Sequence, residues 1–180
     1  MQTETQSLES FFQQVVRDTF ETKLGFRDAE LVNYIARMLC DFSEPGNLYR
    51  LQDENGRRLE SVKEMVQAAD PVNGTAPSFD AERAARKYIG DYALFVAGMC
   101  HHILNANSAD LVKEPNLGEL IAVGKESYHI VSQFNLFEYE HEAPLFARLA
   151  EGFEHCLLGL ALIREDMGEQ LTLGEVEKQE

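Results

Sequence analysis

The segment from residue 83 to residue 104, RAARKYIGDYALFVAGMCHHIL, is the feature that most limits how this chain can fold. Between residues 92 and 100 it carries no charge, so a helix formed here would be apolar on every side. A surface helix normally has one apolar stripe and an opposite polar face. We therefore predict that this segment forms a central helix, starting at Ser78 or Asp80, that other helices cover all round.

Apolar residues recur every three or four positions in the rest of the chain, which is the period of an amphipathic helix. Gly25 ends the first of these segments and Asp28 can cap the second. The pattern predicts helices over about 7–24, 31–42, 57–69 and 117–131, and a last helix that begins at Pro144. For residues 43–56 the sequence leaves a helical turn and a small hairpin equally open. The fold class predicted is all-α, a single-domain helical bundle of five to six helices.

A chain of 180 residues has the length of one domain with a sizeable core. Residues 165–180 carry six acids, one base and two glycines, and so offer little apolar surface to offset the entropy lost on ordering. We predict a helical bundle domain over residues 1–168 and an acidic flexible tail over residues 169–180.

The excess of acidic over basic residues limits the kinds of partner that the chain can bind. Sixteen Lys and Arg residues against 31 Asp and Glu residues give a net charge of −15. Binding to nucleic acid or to an anionic membrane needs a basic face, so neither partner is expected. The N-terminus has no secretory pattern and no segment reaches the roughly 20 apolar residues of a membrane span. We expect a cytoplasmic protein whose Cys40, Cys100 and Cys156 are buried, reduced thiols.

Two Glu-x-x-His matches, Glu126 to His129 and Glu138 to His141, have the spacing that ferritin-like di-metal bundles use. The first match lies on the fifth predicted helix, over about residues 117–131, but on the side opposite its apolar stripe. The second match falls in a loop before Pro144. We therefore predict no metal site and no cofactor. The alternative is a metal-binding, ferritin-like helical protein or metalloenzyme that draws on His102, Glu126, His129, Glu151 and His155.

Asp91 is the one charge between Lys87 and His101, at the edge of the region that we expect to be covered. A buried carboxylate must be paired or hydrogen-bonded, because burying it bare is very costly. Gly90 permits the close approach of the fifth helix, and we predict that one or more of its residues Lys125, Ser127 and Tyr128 donates a hydrogen bond to Asp91. Arg86 and Lys87 are the donors if that helix lies elsewhere. The cluster is either a polar clamp between helices or a ligand pocket. The predicted ligand-binding residues are Asp91, Lys125, Ser127 and Tyr128.

Three segments, KYIGDYALFVAG (87–98), GKESYHIVSQF (124–134) and NLYRLQDENGRRLESVKEMV (47–66), resemble a family of bacterial all-helical proteins with no known activity. The resemblance spans most of the chain. It implies a bacterial, cytoplasmic setting and supplies no mechanism. This sequence departs from the family pattern in having histidines at His102 and His129, which weakens the case for a shared metal site.

Common catalytic motifs, such as HExxH, GxSxG and the phosphate-binding loop, do not occur in the sequence. Whether the protein is an enzyme therefore stays open. The function that the sequence favours is a non-enzymatic binding or protein-interaction module for an unknown protein or small-molecule partner. Its oligomeric state is not predicted.

Overall fold

The structure is a computed structural model that describes residues 2–74, 76–100 and 116–176, with side chains for 8–44, 46–74, 76–100 and 116–168. Within these residues the chain has no strand beyond an isolated bridge between Gln52 and Arg58. Seven α-helices lie there, one more than the upper limit expected: α1 (Gln2–Asp18), α2 (Ala29–Phe42), α3 (Val62–Ala69), α4 (Phe79–Met99), α5 (Leu117–Gln133), α6 (Ala143–Glu151) and α7 (Phe153–Val176). The prediction of an all-α, single-domain bundle is confirmed.

Helix α4 is the central helix, as predicted. Its side chains are buried without interruption from residue 88 to residue 94, and α2, α3, α5 and α7 pack against it. Ser78 caps its start by accepting a hydrogen bond from the Ala81 N–H at 3.1 Å. Gly98 lets α7 come close, since a Cβ there would lie 2.6 Å from Leu160. Residues 101–104 of the predicted helix lie outside the described part of the chain.

The connection between the first two helices also follows the prediction. After α1 the chain continues as a π-helical turn, Thr19–Lys23, which buries Thr19 and Phe20. Gly25 then adopts a φ of 64°, a left-handed conformation that glycine takes without steric cost, and the helix ends. Asp28 caps α2 by accepting a hydrogen bond from the Leu31 N–H at 3.1 Å.

Helix α3 starts later than the predicted residue 57. The carboxylate of Asp53 accepts hydrogen bonds from the N–H groups of Asn55 and Arg57, both at 2.9 Å, and holds these residues in a turn. The helix begins only after Ser61, whose hydroxyl caps it through the Glu64 N–H. The undecided region thus contains a short 3-10 helix, Pro45–Asn47, followed by this turn.

The predicted last helix divides in two at Gly152, where the Gly152 N–H bonds to the Arg148 carbonyl at 2.8 Å and ends α6. The break lets α6 pack mainly on α5 while α7 runs along α4. Helix α7 continues to Val176, past the predicted domain end, and Asp166 pairs with Lys23 at 2.7 Å. The flexibility of residues 169–180 stays a prediction.

None of the described helices combines the length and the apolar character that crossing a bilayer requires.

Candidate functional site

Asp91 lies in the middle of the covered part of α4 and is only 8% exposed. Its neighbour Gly90 faces α5: a Cβ at this position would lie 2.6 Å from the ring of Tyr128, closer than packed atoms approach. The absence of a side chain therefore lets the Tyr128 ring lie directly against the α4 backbone. This contact brings the phenol group of α5 next to the Asp91 carboxylate.

Three donors from three helices converge on Asp91. The hydroxyl of Tyr34 on α2 donates to Oδ1 at 2.5 Å, and the hydroxyl of Tyr128 on α5 donates to the same oxygen at 2.8 Å. The ammonium group of Lys87, one turn earlier on α4, donates to Oδ2 at 3.0 Å. One oxygen is thus held by two buried phenols and the other by a cation.

The phenols of Tyr34 and Tyr128 are fixed as donors. Burial raises the pKa of each well above its usual value, and the negative charge of Asp91 raises it further. Both hydroxyls therefore keep their protons throughout the physiological pH range. The carboxylate is held in one orientation by groups that do not titrate there.

Lys87 is more exposed than the carboxylate with which it pairs. Its side chain is 38% exposed, whereas that of Asp91 is 11% exposed. Its ammonium nitrogen also lies 5.0 Å from the centroid of the Tyr34 ring, within the range of a cation–π interaction. The cation is thus held between a carboxylate oxygen and an aromatic face, at the border between the core and solvent.

A cavity of about 380 Å³ opens beside this group, between α2, α4 and α6. Asp91, Lys87 and Tyr34 form its polar side. Its other walls combine four buried apolar side chains with four charged side chains at the rim: Met38, Phe42, Leu145 and Phe146, and Glu30, Arg37, Asp41 and Glu142. The volume lies within the range of sites for small molecules.

Two of the four predicted ligand-binding residues, Asp91 and Tyr128, bond to each other, but of these two only Asp91 lines the cavity. The predicted hydrogen bond from Tyr128 to Asp91 is present. Lys125 instead pairs with Glu154 at the surface, at 2.6 Å, and Ser127 is fully buried with no partner for its hydroxyl among the described residues. The ligand-binding role of all four stays a prediction.

Arg86, one of the alternative donors considered for Asp91, does not bond to it. The two side chains leave α4 roughly 140° apart, because each residue turns a helix by about 100°. Arg86 is 8% exposed, and its Nε and Nη1 atoms have no hydrogen-bond partner in the described part of the structure. Lys87, the other alternative, supplies the cation.

Sequence reasoning missed Tyr34 and the walls that α2 and α6 contribute. Tyr34 stands among the apolar residues of the second predicted helix, between Val32 and Ile35. A buried tyrosine normally finds a hydrogen-bond partner for its hydroxyl, so its place on the apolar face was a usable signal. That Asp91 would be the partner, 57 positions away, follows only from the tertiary structure.

The residues of the metal alternative do not converge in the structure. Glu126 and His129 are exposed on α5, and Glu151 and His155 are exposed on α6 and α7. Across the described residues, no three His, Cys, Asp or Glu side chains form a group that could hold a metal ion. His102 lies outside the described part of the chain.

The three cysteines are free thiols, and Cys156 is buried while Cys40 and Cys100 are partly buried. Burial raises the pKa of the Cys156 thiol to about 12 and also raises the pKa of the other two. Since the thiolate is the reactive form, this environment opposes a nucleophilic role.

Comparison of the chain with protein-family models, with curated proteins and with solved structures gives no match. The resemblance to a bacterial helical family therefore stays a prediction, and the geometry around Asp91 is the basis of the function proposed below.

Proposed function

We propose that this protein is a non-enzymatic binding module and that its site is the cavity beside Asp91. The observation that carries the proposal is that a buried carboxylate, fixed by two phenols, lines a cavity instead of being sealed within the core. A polar clamp that served only to join helices would gain nothing from an adjoining cavity of about 380 Å³.

The walls of the cavity are suited to a small molecule with one polar end. Four buried apolar side chains face the cavity from α2 and α6, and the fixed polar group lies on α4. Small-molecule sites generally combine apolar walls with a few placed polar groups. The proposal includes no reaction, because the groups around Asp91 are arranged to hold a charge in place.

The test uses three ligands of nearly the same shape and different charge: benzylamine, benzyl alcohol and phenylacetate. Each is titrated into the ¹⁵N-labelled protein and followed by NMR. We expect at least one of them to bind in the millimolar range or tighter and to shift amide signals of α2, α4 and α6.

A pair of variants checks that binding occurs in this cavity. Arg37→Trp places an indole at the rim without changing the core, because Arg37 is exposed and lines the cavity. Arg17→Trp makes the same chemical change at an exposed position of α1 that does not line it. Binding should be lost only with Arg37→Trp. If none of the three compounds binds, the proposed function is wrong.

A second candidate function, docking of another protein, is favoured by an exposed apolar patch. Phe137 is 85% exposed and Leu136 is 66% exposed, beside the N-terminus of α4, where Phe79 is 71% exposed. A hydrogen bond of 3.1 Å from the Tyr139 hydroxyl to Asp80 joins the two segments. Phe137 also has a φ of 55°, a conformation that is rare for an aromatic residue and recurs at functional sites.

The charges around this patch indicate which kind of partner would bind to it. Asp80, Glu138 and Glu140 are exposed there, and the chain as a whole carries a charge of −15, which disfavours a second copy. A helical segment with basic and apolar side chains is complementary to the patch. This candidate therefore commits to such a segment of another protein.

A synthetic Lys/Leu amphipathic peptide tests the docking candidate by fluorescence anisotropy. Phe137→Asn should weaken binding several-fold, since asparagine tolerates the positive φ but removes the apolar ring. Val72→Asn, at a loop residue that is 84% exposed, is the matched control and should leave binding unchanged. Equal affinities for the two variants would show that the peptide binds the acidic surface without using this patch.

A further inference from the structure

We propose that the ligand of the Asp91 cavity is a small organic cation, an ammonium group attached to an apolar group, and that Lys87 occupies the ammonium position when the cavity is empty. The inference rests on the proposed function, since it names the chemical class of ligand for the same site. Lys87 is thereby an internal competitor of the ligand.

The contacts of Lys87 are those of a bound ammonium ligand. Its nitrogen lies 3.0 Å from Asp91 Oδ2 and 5.0 Å from the centroid of the Tyr34 ring. A carboxylate oxygen together with an aromatic face is a recurring way in which proteins recognise organic cations. The two phenols occupy Oδ1, so Oδ2 is the oxygen left to accept a cation.

The other acids of the cavity already have partners outside it. Glu30, Asp41 and Glu142 pair with Arg148, Arg50 and Arg83, and none of these three arginines lines the cavity. Asp91 differs from them because the cation that pairs with it lines the cavity as well. A second cation that enters the cavity therefore meets Asp91 as its acceptor once Lys87 withdraws.

Lys87 is able to withdraw. Its side chain is 38% exposed and long, so its ammonium group can reach water without a change in the backbone. Asp91, at 11% side-chain exposure, has no such freedom. The carboxylate is thus fixed in the site, while its present cation is replaceable.

The apolar part of the ligand fits the remaining walls. Met38, Phe42 and Phe146 are buried side chains that line the cavity. An aromatic ring or short alkyl chain joined to the ammonium group by one carbon would lie against them. Benzylamine has this form and is the probe we choose, with benzyl alcohol and phenylacetate as the neutral and anionic counterparts.

The decisive variant is Lys87→Met, which keeps the apolar stem and removes the ammonium group. The apparent affinity for a ligand falls with the fraction of molecules in which its position is free. If Lys87 occupies the ammonium position about 90% of the time, benzylamine should bind about tenfold more tightly to this variant than to the wild type. Affinity for benzyl alcohol should change by less than about threefold, since it needs no vacated cation position. NMR titration measures all of these dissociation constants.

Asp91→Asn tests the acceptor from the other direction. It retains a side chain of the same shape without the charge, and we expect it to weaken benzylamine binding by about tenfold or more. Should this variant fold poorly, Lys87→Met alone decides the question, because Lys87 is half-exposed and its replacement leaves both phenol contacts in place.

The outcomes separate the two proposals. Tighter benzylamine binding to Lys87→Met supports the inference, and an unchanged or weaker affinity overturns it. A preference of Lys87→Met for phenylacetate or benzyl alcohol over benzylamine also overturns the inference while leaving a binding function in place. Absence of binding of all three compounds to the wild type removes the proposed function itself, and the inference with it.

Discussion

Asp91→Ala is expected to lower the free energy of unfolding by about 2 to 4 kcal/mol, because each buried donor left without an acceptor costs about 1 to 3 kcal/mol. The phenols of Tyr34 and Tyr128 are buried and lose the acceptor that both share. Lys87 adds little to the loss, since its half-exposed ammonium group regains water. Urea denaturation followed by circular dichroism measures the change.

A surface aspartate provides the matched control. Asp166 pairs with Lys23 at 2.7 Å, but both side chains are more than 40% exposed, so Asp166→Ala should cost less than about 1 kcal/mol. Adding Tyr34→Phe and Tyr128→Phe to Asp91→Ala should restore part of the lost stability, because the unpaired hydroxyls are removed. An Asp91→Ala protein as stable as the Asp166→Ala protein would show that the three contacts stabilise nothing.

The features that sequence analysis predicted correctly depend on neighbouring residues. The end of the first helix follows from a glycine at Gly25, and the start of the second from a side chain at Asp28 that bonds to its own first turn. The central position of α4 was also predictable from adjacent residues, because one continuous segment is apolar on every side of the helix.

Two helix boundaries were predicted wrongly, because the helical period does not show where a turn interrupts a helix. A helical pattern from residue 57 was correct in period, but the turn held by Asp53 takes up the residues before Ser61. The last predicted helix has an unbroken apolar pattern, and it nevertheless divides at Gly152, so that α6 packs mainly on α5 and α7 on α4. Periodicity carries no information on either point.

The part of the site that could be predicted also consists of residues that are neighbours in the sequence. Asp91 and Gly90 stand out in one segment, and the Tyr128 contact followed from assuming that α5 is the helix that Gly90 admits. Lys125 and Ser127 were candidates by proximity along α5, but they do not bond to Asp91. Tyr34 reaches Asp91 from α2, and no local pattern links two helices so far apart in the chain.

Gly90→Ala is the second variant with a large expected effect, and we expect it to destabilise the fold by about 1 to 3 kcal/mol through overpacking. The added methyl would lie 2.6 Å from two ring carbons of Tyr128, which is fully buried and held by Asp91. The ring is therefore forced either to move from the carboxylate or to push α5 away from α4. In a helix without this contact, alanine would be favoured over glycine by about 1 kcal/mol.

Gly168→Ala supplies the comparison of opposite sign. Gly168 lies within α7, and a Cβ there would meet no atom within 4 Å, so the intrinsic preference for alanine should raise stability by up to about 1 kcal/mol. Thermal unfolding of the two variants beside the wild type separates the contribution of helix propensity from that of packing. If Gly90→Ala melted at or above the temperature of the wild type, the Tyr128 ring would have to shift at no cost, and the close approach of α5 would not be what fixes the phenol on Asp91.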